Sequence, residues 1–483
     1  MKYRKNKNFT FIISPQFLPS FGGVGGGWGQ GGINKRLYLR SFFREVEAQY
    51  QHLCDHDVCS IPLSFGEGAG VGNLGNYTKL IEEIAQQIQS GTLKPSDLDS
   101  RLVEQIYNDV SEPVKKELGK QWINYDYKEP GNLIQKFKKN LWQFSCAKTL
   151  VELEAINGLL IDKYGRIKPE HQFMQDVRKM NVQYNKNYLQ AEYQTAKRGA
   201  QMAHLWTKFQ EQKHLFPNLV YRTVGDGRVR PEHAMLNGIV KPIDDPFWRT
   251  YYPPNGWRCR CTVMNTAEKV TEGEFEDKSV KPEFHGNTAL DEEILTSKGS
   301  FFKLLNKDFK AKINAELLKY NMPMDIAYHG KHKKKVFVSP YADTSDLTAN
   351  VETAMVIVDH LGIDVKIRAH IDSNIVKGHK NPEYEINGRI ADRKETNSYT
   401  SIKSNLENAR KQGNQSIVYD ITKFQNWNAY EITKNLKGKI MSFKDKDWLH
   451  EIYFVNGNKA ISFTKDELLN EFDKVFKLFK QLQ

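Results

Sequence analysis

Cysteine is scarce: five in 483 residues, too few for a disulfide framework. No apolar run approaches the ~20 residues that a bilayer-crossing helix needs, so no membrane span is expected. A basic start, Lys2, Arg4, Lys5 and Lys7 ahead of Phe9–Ile13, has the outline of an export leader. Its apolar part breaks at Ser14-Pro15 and no A-x-A site follows, so export by this route is not expected. No internal repeat is visible.

What is present is a soluble globular composition, 39% hydrophobic and 27% charged, over a length that suggests about three domains. The 70 Lys+Arg against 58 Asp+Glu leave a net charge of +12. That sign suits a polyanionic partner such as nucleic acid, through neutralised phosphates and released counterions. It is equally the balance of a basic protein with no such partner.

Residues 1–75 hold two glycine-rich patches, Phe21–Gly32 and Gly66–Gly75, and read as a flexible N-terminal region. Between them, His52, Cys54, His56 and Cys59 fit no standard zinc spacing and read as reduced thiols beside surface imidazoles. From Asn76 to Gln212 the apolar spacing is helical. Leu80, Ile81, Ile84 and Ile88 make one face and Leu98, Leu102, Val103 and Ile106 another. Pro113 is expected to restart a helix after Val110. Leu133–Phe144, Leu150–Ile161 and Phe173–Gln212 continue what reads as a bundle for assembly contacts rather than chemistry.

Tyr221–Val263, YRTVGDGRVRPEHAMLNGIVKPIDDPFWRTYYPPNGWRCRCTV, is the most distinctive segment of the first two-thirds. Asp226, His233, Cys259 and Cys261 make a candidate four-ligand zinc set, with the two thiols closer than the usual C-x2-C. The preferred reading is a small irregular platform in which His233 and Asp226 hydrogen-bond the backbone. The ordered series Asp226, Arg230, His233, Gly238, Asp245, Pro253-Pro254, Gly256-Trp257 and Cys259-Arg260-Cys261 resembles the phage Mu F-like minor head proteins. With the preceding helices the resemblance covers residues 76–271. It implies a virion protein near the portal of a tailed phage or prophage, with portal and capsid proteins as partners.

Residues 272–335 read as a linker: polarity rises over Glu272–Asn287, Phe301–Tyr320 is a helical connection, and Tyr328–Lys335 is a basic run. Beyond them, Asn381–Glu395 (NPEYEINGRIADRKE) reads as a β-hairpin on an Asn387-Gly388 turn, the strongest short-range hairpin signal. The two-residue turn fixes the register. Ile386 faces Arg389, Glu385 faces Ile390, Tyr384 faces Ala391, and Glu383 faces Asp392. Alternation then puts Glu383, Glu385, Asp392 and Lys394 on one face. Two carboxylates in directly opposed positions repel, and a divalent cation between them, with Lys394 alongside, would offset that repulsion. An ordinary polar hairpin with solvated acids is the alternative.

Around the hairpin, Val351–Leu361 reads as a helix with Asn350 as N-cap and Gly362 as stop. Val365–Ile371 and Ser416–Ile421 read as strands, and Ser401–Lys411 as a helix. The order helix–strand–strand–strand–helix–strand and the pattern P-E-x8-D-x-K resemble the PD-(D/E)xK nuclease superfamily. The fuller series NPEY, NG, D-x-K and SIKSNLENARKQ is similar to the tRNA-nuclease toxin domains of CdiA-type contact-dependent inhibition proteins. The fold expected is therefore multidomain: a mainly α head module with its platform, then an α/β restriction-endonuclease-like domain over residues 336–483.

The resemblance implies a metal-dependent endonuclease, with Mg²⁺ on Glu383 and Asp392, and Glu352 a ligand directly or through water. Lys394 would position the attacking water or stabilise developing charge. Gln412, Gln415 and Arg393 would touch the substrate, tRNA by the toxin resemblance or DNA by the restriction-enzyme one. A cognate immunity protein and action in the bacterial cytoplasm after delivery follow from the same resemblance. Whether Glu383 or Glu385 is the ligand stays open at this point. So do two other classes: a metal-independent ribonuclease of barnase, colicin or RelE kind using Arg368, His370 and His379, and a purely structural head protein.

Overall fold

The computed structural model of the chain describes residues 74–94, 97–273, 275, 280–303, 313, 322–374 and 376–483. The leader outline, the expected flexible region up to residue 73 and the His52–Cys59 group lie outside the described residues, as does most of the Phe301–Tyr320 connection. Two compact units emerge, one drawn from Met1–Leu118 and Asn140–Asn306, the other from Gly119–Lys139 and Lys307–Gln483.

The first unit is built on helices α1 (Leu74–Gln89), α2 (Ser100–Leu118), most of α3 (Leu133–Leu159), α4 (Glu170–Val182) and α5 (Leu189–Gln212). Both expected apolar faces are core: Ile81, Ile84, Leu102 and Ile106 are fully buried. Pro113 does not restart a helix, because α2 runs through it. The missing N–H costs one backbone bond, but Val110 and Val114 on either side are fully buried, and that packing holds the turn. Leu133–Phe144 and Leu150–Ile161 merge into the single helix α3. A π-helical segment, Gln183–Tyr188, separates α4 from α5.

The bundle interior is also polar. Lys148, without exposed side-chain surface, reaches Glu192 at 2.6 Å and the Tyr184 carbonyl at 3.0 Å. Asn185 donates to Glu152 at 2.9 Å, and burial pushes the Glu152 carboxyl up to about 7. After α5 comes the expected platform: a three-stranded antiparallel sheet, ordered β2 (Val240–Pro242), β1 (Asn218–Arg222), β3 (Thr262–Thr266).

The second unit is one mixed eight-stranded sheet whose order follows the chain from β4 to β11: β4 (Asp325–His329), β5 (Lys335–Val338), β6 (Val365–Ile367), β7 (Tyr384–Ile386), β8 (Arg389–Glu395), β9 (Ser416–Asp420), β10 (Glu451–Asn456) and β11 (Lys459–Thr464). Helices cover both faces. On one side, α6 (Leu347–Leu361) buries Val351, Ala354 and Val358 against Val338, Ile367, Ala391, Val418 and Val455. On the other, α7 (Tyr399–Lys411), α8 (Ala429–Met441) and α9 (Phe472–Leu482) enclose Ile417, Tyr419, Ile452, Phe454 and Phe463. Period-two alternation produces this division: Ile417 and Tyr419 go one way, Val418 the other.

The expected element order α6–β6–β7–β8–α7–β9 is present. The expected linker, however, is partly sheet. β4 and β5 pair antiparallel, and Asp325 of β4 is buried against Gln135 and Lys138. Tyr125 joins the same core, its N–H donating to Ile326 at 3.0 Å. α6 also begins earlier than expected, with Asp346 as N-cap, so Asn350 lies buried inside it. Gly362 ends the helix in the left-handed conformation, φ 65°, as a stop glycine should.

Candidate functional site

The hairpin forms in the expected register, Tyr384 against Ala391, Glu385 against Ile390 and Ile386 against Arg389. Asn387 and Gly388 both take positive φ, 51° and 72°, as a twist-matched two-residue turn requires. Asn381, just upstream, accepts the Ile371 N–H and donates to the Ile371 carbonyl, both at 2.8 Å. The Arg368 N–H donates to the Glu383 carbonyl at 2.8 Å, so both neighbours of β7 hold Glu383 in place.

One residue beyond these pairs, Glu383 meets Asp392. The Glu383 carboxylate accepts the Arg393 N–H at 3.2 Å. Asp392 is 1% exposed and lies against the Glu383 carboxyl. The Lys394 ammonium stands 2.5 Å from Asp392 Oδ2. Burial, then hydrogen bonding and repulsion from Asp392, push the Glu383 carboxyl up from 4.5 to about 8, with Lys394 opposing. At neutral pH the pair therefore holds a proton that a cation could replace. Glu385 is committed elsewhere, to Lys366 at 2.8 Å, which leaves Glu383 as the partner of Asp392.

Three expected site residues lie apart from this pair. Glu352 is exposed on α6, and α6 covers the face carrying Ala391 and Val418, the reverse of the one Asp392 shares with Ile417. Among the described residues it joins no three-carboxylate cluster. Arg393 points to the α6 side as well, bonded to Thr353 at 2.8 Å and Asp420 at 2.7 Å. With its side chain 10% exposed, it is a buried cation tying β8 to α6 and β9. Gln412 accepts from Asn414 at 3.5 Å. Gln415 stays nearer: its side chain accepts the Ile390 N–H at 3.3 Å and its own N–H donates to the Ile390 carbonyl at 2.9 Å, two residues before Asp392.

The basic residues named for the metal-independent reading do gather. Arg368 donates to the Pro382 carbonyl at 3.1 Å, and His370 meets Asp343 at 3.4 Å and Asn381 at 3.4 Å. Burial, then Arg368 and His370, lower the His379 imidazole. Lys366, half-exposed on the same face, was missed. The alternation Val365-Lys366-Ile367-Arg368 would have revealed it, since the apolar members enter the α6 core and the cations face the other way. The face thus combines Lys366, Arg368, Glu383, Asp392 and Lys394.

In the first unit, His233, Cys259 and Cys261 are all buried, with their ligand atoms within 4.8 Å of one another. His233 Nδ1 lies 3.8 Å from the Cys259 sulfur and 3.6 Å from that of Cys261. Hydrogen bonding from Cys261 and the His233 ring favour the Cys259 thiolate, and the same pairing with burial pushes the Cys261 thiol up. Asp226 is not a fourth member: it takes Arg260 through both oxygens at 2.6 and 2.7 Å. The backbone-bonding roles expected of the platform are also present, Asp226 accepting from Arg228 N–H at 3.1 Å and His233 Nε2 lying 3.2 Å from the Asn255 carbonyl.

Residues 166–264 match the family described as Phage Mu protein F like protein, so the chain carries a Mu F-like domain there. It is 59% identical over 49 residues to the "Putative capsid assembly protein F" of Escherichia phage Mu, which is 10% of this chain and 11% of that protein. It is 48% identical over 48 residues to the Mu-like prophage FluMu F protein of Haemophilus influenzae, 10% of this chain and 12% of that protein. The matches thus span about a tenth of each curated relative. No solved structure matches the chain. Among the described residues no helix is long and apolar enough to cross a membrane.

Proposed function

We propose that this chain is a head-assembly protein of a Mu-like phage or prophage whose second unit is a metal-dependent endonuclease of toxin type with a restriction-endonuclease-like fold. The Mu F-like domain supports the first half, with capsid or portal proteins as partners. One observation carries the second. Asp392 is buried on the sheet against a second carboxylate, Glu383, with the Lys394 ammonium 2.5 Å from its Oδ2. Two carboxylates held together out of solvent are costly, and a cation between them would offset their repulsion.

The pair fits a hard divalent cation, Mg²⁺ by the chemistry of its oxygen donors. Glu383 and Asp392 would hold it, and when bound it supplies Lewis acidity to a phosphate oxygen and an acidified water. Lys394 orients the Asp392 carboxylate and offers a cation to charge developing on the phosphate. Arg368, and Lys366 once it exchanges Glu385 for a phosphate, would meet the nucleic-acid backbone beside the pair. The substrate is RNA, tRNA by the toxin resemblance, with DNA as the rival. Protection of the producing cell rests on a cognate immunity protein, and the activity is exerted in the bacterial cytoplasm after delivery.

The test uses the purified full chain on total tRNA and on plasmid DNA, with Mg²⁺ or with EDTA, beside Asp392→Asn. Cleavage that needs Mg²⁺ and disappears with Asp392→Asn supports the reading. Cleavage that survives EDTA selects the second reading, which the gathering of Arg368, His370 and His379 around Asn381 favours. No cleavage of either polymer, with no toxicity in a host lacking immunity, leaves a structural head protein.

A further inference from the structure

The Mu F-like domain carries a second constellation that the nuclease proposal does not use. We propose that His233, Cys259 and Cys261 bind one zinc ion, and that the sequence series through this platform exists to build that site.

The ligand atoms are already spaced for it. Zn–S near 2.3 Å and Zn–N near 2.0–2.1 Å place sulfur and nitrogen about 3.5–3.6 Å apart around a tetrahedral ion. The two distances here are 3.6 and 3.8 Å. Two thiolates and a neutral imidazole cancel the charge of Zn²⁺. Such neutrality suits ligands that are 3–4% exposed. Sulfur and imidazole together select zinc over the hard cations.

An independent feature is the other side of the imidazole. Nε2 lies 3.2 Å from the Asn255 carbonyl, where only an N–H is compatible. That contact puts the ring proton on Nε2 and leaves the Nδ1 lone pair aimed at both sulfurs. A backbone carbonyl fixing the tautomer in this way is the usual support of a metal-binding histidine. The Tyr221 hydroxyl donates to Asn255 Oδ1 at 2.9 Å, holding that residue in turn. Gly256 packs closely on the same group: a Cβ there would stand 3.1 Å from Arg230 Nη1, and the arginine would have to give by a few tenths of an ångström. Arg230 donates to the Trp257 carbonyl at 2.7 Å, closing the same turn. Arg230, His233, Asn255-Gly256-Trp257 and Cys259/Cys261 thereby form one ligand set with its supports. The ion would staple the short helix Pro231–Ala234 to the segment entering β3, and solvent would take the fourth position.

The experiment measures metal in the full chain purified from zinc-supplemented cells, by mass spectrometry and by dye after mercurial release. The expected content is about one zinc per chain, unchanged in Cys54→Ser/Cys59→Ser and at least fivefold lower in Cys259→Ser/Cys261→Ser. Cobalt loading should give a thiolate-to-metal charge-transfer band that falls by about half in Cys261→Ser and persists in His233→Cys. Should the double variant fail to fold, alkylation of the wild-type chain decides. Cys259 and Cys261 protected by zinc and exposed by chelator support the site. A zinc-free chain, a Cys259–Cys261 disulfide, or metal lost with Cys54→Ser/Cys59→Ser instead would overturn it.

Discussion

The His233–Cys259–Cys261 cluster and the Glu383–Asp392 pair have opposite chemistries and opposite degrees of completion. The first is soft and enclosed, and its imidazole has a backbone partner on the far nitrogen. The second is hard, two carboxylates with the Lys394 ammonium against one of them, beside a face on which Lys366 and Arg368 are partly open. A site that staples a fold draws most of its ligands from the protein itself. A site that performs chemistry leaves some of its polar atoms for the substrate and the cation, and accepts lower stability there.

The largest effect that would break this contrast is expected at Asp392. Asp392→Ala should cut Mg²⁺-dependent cleavage by roughly 10²–10³-fold while leaving the thermal midpoint unchanged or raised. A large loss of stability would instead make Asp392 a structural carboxylate. Arg393→Met should do the reverse, since it strands Asp420 beside Thr353. We expect a loss of about 3 kcal/mol or more in denaturant unfolding, with the residual folded fraction still active.

A third expectation concerns pH. The folded chain holds a proton on Glu383 up to about pH 8, whereas the unfolded chain releases it near the ordinary value of 4.5. Across that window the native state binds more protons, so stability falls as pH rises. Glu383→Gln should flatten the fall in a series of thermal melts, and Mg²⁺ should reduce it by replacing the proton. Smallest of all, Glu352→Ala should change cleavage less than about twofold, as for an exposed side chain away from the pair. A hundredfold loss would mean that α6 reaches the site after all.

The hairpin was legible because it is local. Asn387-Gly388 dictates the turn, the turn dictates the register, and the register puts Glu383 against Asp392. The position of Glu352 was not legible, because it depends on which face of the sheet α6 covers, and helix periodicity identifies an apolar stripe without saying where it docks. The burial of Arg393 was hidden for a related reason: it alternates with Asp392 and Lys394, but only Thr353 on α6 and Asp420 on β9 reveal that it is buried. The linker expectation missed β4 because Asp325 becomes a buried residue only through Gln135 and Lys138, almost 190 positions away.

By itself, then, the sequence determined most of the elements, the hairpin register and the Mu F-like segment. Turns, caps and alternation are fixed by near neighbours. Tertiary structure alone decided that Cys259 and Cys261 close on His233 and that Glu385 is taken by Lys366. It also placed Glu352 and Arg393 away from the Asp392 face. These outcomes depend on burial and on partners distant in the chain, and no local pattern encodes them.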